Sequence, residues 1–153
     1  MPNWCEGQLK IRGEFDSLTK FIKEAFKPSE CCGIQLDDLY IHEETTDFFW
    51  FEVKKPLYIE GTRRNFIEEC DTFFNNENEK ITVVVPYRAA WGIDVAPLIS
   101  LSKKYSVDFK IYAFERGMEF CQDVEIVGGN LLKNEKVTFD DWDWECICPL
   151  TGG

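Results

Sequence analysis

Residues 4–26 read WCEGQLKIRGEFDSLTKFIKEAF, and this stretch decides the fold class. Leu9 and Ile11 alternate with polar side chains, which predicts a half-buried strand that ends at Gly13. Apolar residues then recur at positions 18, 21, 22, 25 and 26, which is the spacing of one face of an amphipathic helix. The chain therefore begins with a strand followed directly by a helix.

Hydrophobic periodicity and turn residues divide the rest of the chain into further elements. Strands are predicted at 48–54, 57–59, 81–87, 107–113, 118–126 and 131–139, after a loop and a short strand or turn in 29–46. Helices are predicted at 63–74 and from Asp94, a good N-cap, to Tyr105. The run 81–87 shows little polar alternation, which favours burial on both faces. Gly128-Gly129-Asn130 has the chemistry of a hairpin turn.

The element order predicts an α+β fold with a largely antiparallel sheet and its helices on one face. Right-handed βαβ crossovers then give a split βαβ, or ferredoxin-like, arrangement. The helix at 63–74 is an insertion in this scheme, and the last two strands form a C-terminal hairpin. No repeat or linker interrupts the pattern, so we expect residues 1–153 to form a single domain.

Composition limits the classes of partner. The chain has 28 acidic and 17 basic residues and a formal net charge of −11. Such a field opposes direct binding to nucleic acid, because affinity for phosphate backbones comes largely from Lys and Arg. No run of residues is long and apolar enough for a membrane span, and no secretory signal is recognisable at the start. We therefore expect a cytoplasmic protein with no membrane partner, whose oligomeric state the sequence leaves open.

Seven cysteines are present, an odd number in a chain that needs no disulfides for its core. Reduced thiols in a cytoplasm are the better interpretation. Cys31-Cys32 and Cys146-Ile147-Cys148 could together offer four thiolates, but zinc sites usually place two to four residues between paired ligands. We expect no metal and no cofactor, and the pairing of these four thiols with a metal stays an open alternative.

The N-terminal residues Met1-Pro2-Asn3-Trp4-Cys5 resemble the start of the YubB-like ferredoxin-fold family of phage and plasmid proteins. Residues 84–127 resemble the C-terminal half of that family more loosely, through Trp91 and the Arg116-Gly117 turn. The chain departs from the family pattern at Gly7, where an Asn is usual, and after Trp91, where a Pro-containing turn is usual. The resemblance implies an origin on a mobile element, action in a bacterial cytoplasm, and no catalytic residues to transfer.

Catalytic patterns are weak in this sequence. Its single histidine, His42, lies beside Glu43 and Glu44, an unfavourable setting for activating a thiol, and no phosphate-binding glycine loop precedes a helix. Adjacent carboxylates point apart on a strand or helix, so pairs such as Glu68-Glu69 are interpreted as solvated. We expect no enzyme and no catalytic residue.

Two groups of residues are candidate partner contacts. The first is a C-terminal run in which acids flank two tryptophans: Asp140, Asp141, Trp142, Asp143, Trp144 and Glu145. If this run is extended, both tryptophans share one side of it and the acids at 141, 143 and 145 the other. It then serves either as a protected edge strand or as a docking strand with tryptophan anchors. The second group is Tyr87, Arg88 and Trp91, at the end of a buried strand, where a loop could expose them.

Acidic residues are concentrated in 37–47, 68–79 and 140–145. If two of these segments fall on one side of the fold, they form a surface that resembles a phosphate array and attracts basic partners. The sequence therefore favours a non-enzymatic mobile-element protein that binds and inhibits a basic, nucleic-acid-binding host protein, such as a CRISPR effector or another anti-phage nuclease. Ordinary solubility also explains the charge. A small-ligand-binding or accessory enzyme domain, and a structural phage component, are the alternatives.

Overall fold

The computed structural model describes residues 1–28 and 38–153, which form eleven strands and three helices. In chain order the elements are β1 (Trp4–Gly13), α1 (Phe15–Ala25), β2 (Phe26–Pro28), β3 (Leu39–Glu44), β4 (Phe48–Val53), β5 (Leu57–Ile59), β6 (Asn65–Ile67), β7 (Cys70–Asn75), β8 (Ile81–Ala90), α2 (Val95–Tyr105), β9 (Asp108–Glu115), β10 (Phe120–Val127), β11 (Asn130–Thr138) and α3 (Trp142–Glu145). None of these helices is long and apolar enough to cross a bilayer. Of the loop and short strand or turn predicted in 29–46, residues 29–37 lie outside the described residues, and β3 is the short strand.

The strands of the described chain form two antiparallel sheets, so the predicted α+β class is confirmed. The large sheet has eight strands in the order β11-β10-β9-β1-β8-β6-β5-β2. The small sheet has three, in the order β3-β4-β7. The large sheet is twice as wide as a four-stranded ferredoxin-like core. β1 lies near its middle and pairs with β8 on one side and β9 on the other.

Strict alternation in β1 and β8 gives the large sheet one inward and one outward face. Leu9 and Ile11 are fully buried, whereas Gln8 and Lys10 between and beside them are exposed. In β8, residues 83, 85, 87 and 89 are buried, and residues 82, 84 and 86 are exposed. The prediction that 81–87 is buried on both faces is therefore wrong. Its Val-rich composition hides a period of two, since Val84 points outward.

Helices α1 and α2 pack together on the inward face, as predicted. Phe21 of α1 lies at the centre of this packing, with its ring centroid 5.6 Å from that of Tyr105 in α2 and 5.3 Å from that of Phe109 in β9. Asp94 precedes α2 as its N-cap residue, which confirms the predicted start of this helix. The small sheet adds its inward side chains, such as Phe51 and Phe74, to the same core.

The predicted helix at 63–74 is wrong, because these residues form β6 and β7. Apolar residues at helical spacing in this stretch also satisfy a strand, since Phe74 points inward and Phe73 outward in β7. Tertiary pairing decides between the two: β6 adds to β8 and β7 adds to β4. The aromatic and β-branched residues of this stretch, Phe66, Ile67, Thr72, Phe73 and Phe74, favour strands and lie within β6 and β7.

The C-terminal hairpin is confirmed. β10 and β11 pair around Gly128 and Gly129, whose φ angles of 57° and 74° fit a type I′ turn. The chain then crosses to the outward face, where Trp142 and Cys146 pack on Phe114 and Cys121 in a second apolar cluster. Helices therefore do not all lie on one face, because α3 is on the side opposite α1 and α2.

Candidate functional site

The small sheet brings two of the three acidic segments together. β4 lies between β3 and β7, so residues 39–44 and 70–75 are its two neighbours. In the strand register, Trp50 of β4 lies opposite Glu43 of β3 and Phe73 of β7. Glu52 of β4 lies opposite Tyr40 of β3 and Asp71 of β7. Directly opposed residues of antiparallel strands project from the same face. The outward side of this sheet, which we call the aromatic–acidic face, consists of Tyr40, His42, Glu43, Phe48, Trp50, Glu52, Asp71 and Phe73.

The sequence of β4 explains why large rings are exposed. Its residues read FFWFEV, and in a strand every second side chain points outward. Phe49 and Phe51 are fully buried, so Phe48 and Trp50 face the other way, where both are half-buried. On β7, Phe73 is 63% exposed beside them, and on β3, Tyr40 is 47% exposed. Contiguous exposed aromatics of this kind mark interaction sites on soluble proteins.

The rings of the aromatic–acidic face are held in fixed positions by one another and by carboxylates. His42 stacks on Trp50 with ring centroids 4.3 Å apart, and its edge contact with Tyr40 has a centroid distance of 4.8 Å. His42 Nε2 lies 2.9 Å from Glu52 Oε2. The indole N–H of Trp50 donates to Asp71 Oδ1. A rigid aromatic surface loses little side-chain entropy when a partner binds.

Negative charge dominates this face. Within the described part of the chain, Glu43 and Asp71 form no ion pair, and the side-chain partner of Glu52 is the His42 ring. The ammonium of Lys54 lies 4.7 Å from the Tyr40 ring centroid, so the face already holds one cation over an aromatic ring. Uncompensated carboxylates beside exposed rings are suited to Lys and Arg side chains of a partner.

The C-terminal candidates are arranged differently from the prediction. Residues 142–145 form the short helix α3 and not an extended strand, so the two tryptophans do not share a face. Trp142 is buried, and its indole N–H donates to the Pro149 carbonyl. Trp144 is 86% exposed. Asp140 and Asp143 are exposed as well, so this run offers one ring and two free carboxylates.

Two of the C-terminal acids have a local structural role that explains the error. Asp141 is the N-cap of α3 and accepts a hydrogen bond from the Trp144 backbone N–H. Glu145 Oε2 accepts from the backbone N–H groups of Asp140 and Asp141. This reciprocal arrangement resembles a capping box, and Asp141 with Glu145 four residues later was the signal in the sequence.

Tyr87, Arg88 and Trp91 are not brought together into one exposed site. Tyr87 is 1% exposed, and its hydroxyl donates to Asn65 Oδ1 at 2.6 Å inside the core. The expected exposure of Tyr87 is wrong because β8 extends to Ala90, and Tyr87 occupies one of the alternate positions that point into the core. Trp91 is exposed at a left-handed turn with φ 61°.

Arg88 projects from the outward face between two rings. Its guanidinium carbon lies 4.3 Å from the Trp4 ring centroid and 5.6 Å from that of Phe66. Arg88 also pairs with Glu68 through Nε and Oε1. Burial raises the pKa of Glu68, and the Arg88 charge opposes that rise. Arg88 is therefore occupied by internal contacts.

The five thiols that the structure describes show no arrangement typical of catalysis or metal binding. Burial raises the pKa of Cys5 to about 12 and that of Cys121 to about 11, which disfavours the reactive thiolate. Across residues 1–28 and 38–153, no three His, Cys, Asp or Glu side chains form a group that could hold a metal ion. Cys146 is buried and Cys148 exposed, while Cys31 and Cys32 lie outside the described residues.

Sequence reasoning missed the aromatic–acidic face as a site because it treated 63–74 as a helix. The signal was nevertheless present, in the aromatic run of β4 and in the acids of 37–47 and 68–79. Comparison of the chain with protein-family models, with curated proteins and with solved structures finds no match.

Proposed function

We propose that this protein is a non-enzymatic, cytoplasmic protein of a phage or plasmid that binds and inhibits a basic, nucleic-acid-binding host protein. The observation that carries the proposal is the aromatic–acidic face, where exposed rings and unpaired carboxylates share one side of a small sheet. Aromatic anchors supply affinity at protein interfaces, and complementary charge supplies rate and selectivity. A CRISPR effector or another anti-phage nuclease is the partner class, since such proteins present basic surfaces to nucleic acid.

The position of the proposed contact surface differs from the two groups singled out by sequence. Tyr87 and Trp142 are buried, and Arg88, Asp141 and Glu145 are engaged in internal contacts. Trp91, Asp140, Asp143 and Trp144 remain exposed and are secondary candidates. The aromatic–acidic face offers more rings on one sheet than either group, together with two carboxylates, Glu43 and Asp71, that form no ion pair within the described residues.

A ferredoxin-like core is part of the same proposal. The strand order β9-β1-β8-β6, with α1 after β1 and α2 between β8 and β9, supports a split βαβ interpretation of these four strands. β10 and β11 on one side, and β5 and β2 on the other, then extend it to eight strands. This core supports the inferred relationship to YubB-like proteins.

Binding of purified CRISPR effector nucleases to the intact protein, measured by biolayer interferometry, tests the function. We expect binding that weakens steeply between about 50 mM and about 500 mM NaCl, because exposed charges are screened. Absence of binding to every effector tested at low salt would overturn the inhibitor proposal.

A pair of double variants locates the contact. Glu43→Lys with Phe73→Ser should weaken binding about tenfold or more, as loss of a hot-spot ring does. Asp140→Lys with Asp143→Lys is the control, and it changes the net charge by twice as much as the first variant. If the control weakens binding more, the C-terminal segment or the overall field carries the interaction, and the aromatic–acidic face does not.

A further inference from the structure

The outward face of the large sheet carries a groove of about 690 Å³ that the proposed inhibitor function does not use. Its floor comes from β1, β8 and β9, and its sides from Glu68 and from the C-terminal residues Cys148 and Thr151. The C-terminal segment is anchored beside it, because the Gly153 backbone N–H donates to the Trp4 carbonyl at 2.9 Å. Ligand pockets are typically roughly 300–1,000 Å³, so the groove has the size of a small-molecule site.

Strand register fixes the chemistry of the groove floor. Gln8 lies between Tyr112 of β9 and Pro86 of β8, and all three project outward. Tyr112 is 39% exposed, and its ring rests edge-on against Phe114 with centroids 5.3 Å apart. A flat ring and a proline flank an amide side chain here, which is a combination that holds a planar heterocycle by stacking and by hydrogen bonds to its edge.

The next row along the strands contains two opposed lysines. Lys10 of β1 is the direct cross-strand partner of Lys110 of β9, and like charges in this position destabilise a sheet. Lys110 Nζ has Glu125 Oε2 at 3.9 Å, whereas Lys10 forms no ion pair within residues 1–28 and 38–153. Adjacent lysines in a concave site of a chain with net charge −11 are explained if they bind an anion together.

We propose that this groove binds a nucleoside monophosphate, with its base on Tyr112 beside Gln8 and its phosphate between Lys10 and Lys110. The two rows are two residues apart along β1, about 7 Å, which is the scale of the ribose that joins base and phosphate. Burial raises the pKa of Tyr112 to about 12, so the ring stays neutral beside the anion. Glu6 and Glu68 at the rim, together with the net charge, disfavour a polynucleotide.

Isothermal titration calorimetry of the full chain tests this with AMP, GMP, CMP and UMP, with inorganic phosphate, and with a ten-residue oligothymidylate. We expect saturable binding of a nucleoside monophosphate that is tighter than binding of phosphate alone. Lys10→Gln should weaken it about tenfold or more, as expected for loss of a charge-assisted hydrogen bond. Lys20→Gln is the matched control on α1, where the lysine is also exposed, and should leave affinity unchanged.

Variants of the ring separate stacking from folding. Tyr112→Leu should weaken binding about tenfold, while Tyr112→Phe should retain it, because the proposal uses the face of the ring and not its hydroxyl. The proposal is overturned if no monophosphate binds saturably, if phosphate alone binds equally well, or if the oligonucleotide binds more tightly through the same lysines. These outcomes leave the inhibitor proposal untouched, since that surface lies on the small sheet.

Discussion

Single buried polar residues tie separate elements of this molecule together. Asn65 of β6 is fully buried, yet both the oxygen and the nitrogen of its side-chain amide form hydrogen bonds. Its oxygen accepts from the Tyr87 hydroxyl at 2.6 Å and from the Asp94 backbone N–H at 3.1 Å, and its nitrogen donates to the Asp94 carbonyl at 2.8 Å. The start of α2 is thereby fixed to β6 and β8. Burial without these partners would cost several kcal/mol.

Cys5 lowers the stability of the fold at alkaline pH. Its thiol is fully buried, and desolvation with the nearby Glu115 carboxylate raises its pKa from 9.0 to about 12. Between these values the unfolded chain loses the Cys5 proton and the folded chain keeps it, so the free energy of unfolding falls as pH rises above about 9. At pH 10 the loss from this residue is on the order of 1 kcal/mol relative to neutral pH. Urea unfolding under reducing conditions at pH 7.5 and pH 10 measures it.

The diagnostic quantity in that experiment is the difference between the free energies of unfolding at pH 7.5 and pH 10. Cys5→Ala leaves a small cavity and lowers stability at both pH values, but it should make the difference between them smaller. Cys148→Ala removes an exposed thiol and should leave the difference unchanged. An unchanged difference in Cys5→Ala would contradict the raised pKa. Cys121 and Tyr112 also have raised pKa values, so a residual alkaline loss is expected.

At the scale of elements, the local sequence predicted those helices and turns whose residue pattern is compatible with only one secondary structure. The amphipathic spacing of α1 and the Gly128-Gly129 turn each specify one structure from nearest neighbours alone. The stretch 63–74 did not, because Phe66, Cys70 and Phe74 fit a helix face, whereas Cys70 and Phe74 also fit alternating positions of the strand β7. Only pairing with β4, which is distant in sequence, resolves this, and the aromatic–acidic face could not be assembled before β7 was placed.

The extended conformation predicted for the C-terminal candidates was wrong for a related reason. Asp141 and Glu145 look like interaction residues when charge alone is considered, but backbone N–H groups at the start of α3 need acceptors. The sequence indicated three acidic segments without specifying which of them would meet, and the structure brings residues 39–44 and 70–75 together in one sheet. It placed the candidate contacts in the third acidic segment, 140–145, whose exposed members Asp140 and Asp143 remain secondary candidates.

Gly7 is the position in β1 that allows β9 to approach. A Cβ at this residue would lie 2.1 Å from the Tyr112 carbonyl oxygen and 2.8 Å from Ala113 Cα, both backbone atoms that cannot rotate away. Gly7→Ala should therefore lower the free energy of unfolding by about 2–3 kcal/mol, as overpacking does. Gly7→Asn, the residue usual in YubB-like proteins, should cost more. Chemical denaturation measures both.

The neighbouring exposed residue provides the control for Gly7. Gln8→Ala changes the same strand without adding volume against β9, and it should alter stability by no more than about 0.5 kcal/mol. If Gly7→Ala is as mild as Gln8→Ala, β1 and β9 can separate at this point, and the close approach is not required by the fold.

At the scale of the whole molecule, the charge excess is unevenly neutralised. Basic residues pair with acids on the large sheet, as in Arg12–Asp108 and Lys133–Asp123. On the aromatic–acidic face, by contrast, Glu43 and Asp71 lack a cationic partner among the described residues. A net charge of −11 destabilises a compact state through self-repulsion. Acids that are kept despite this cost are the ones expected to serve binding.

This contrast predicts that stability and binding change in opposite directions. Glu43→Lys should raise the midpoint of thermal unfolding at low salt, by the equivalent of about 0.5 kcal/mol, because it relieves repulsion on the face. The same variant should weaken partner binding. Lys20→Glu, also exposed, should lower the midpoint and leave binding intact.

Scanning calorimetry at about 20 mM and about 500 mM NaCl separates a charge effect, which salt removes, from a lost contact, which salt does not. A midpoint that falls in Glu43→Lys at both salt concentrations would mean that this carboxylate stabilises the fold, and the case for its retention as a binding residue would fail.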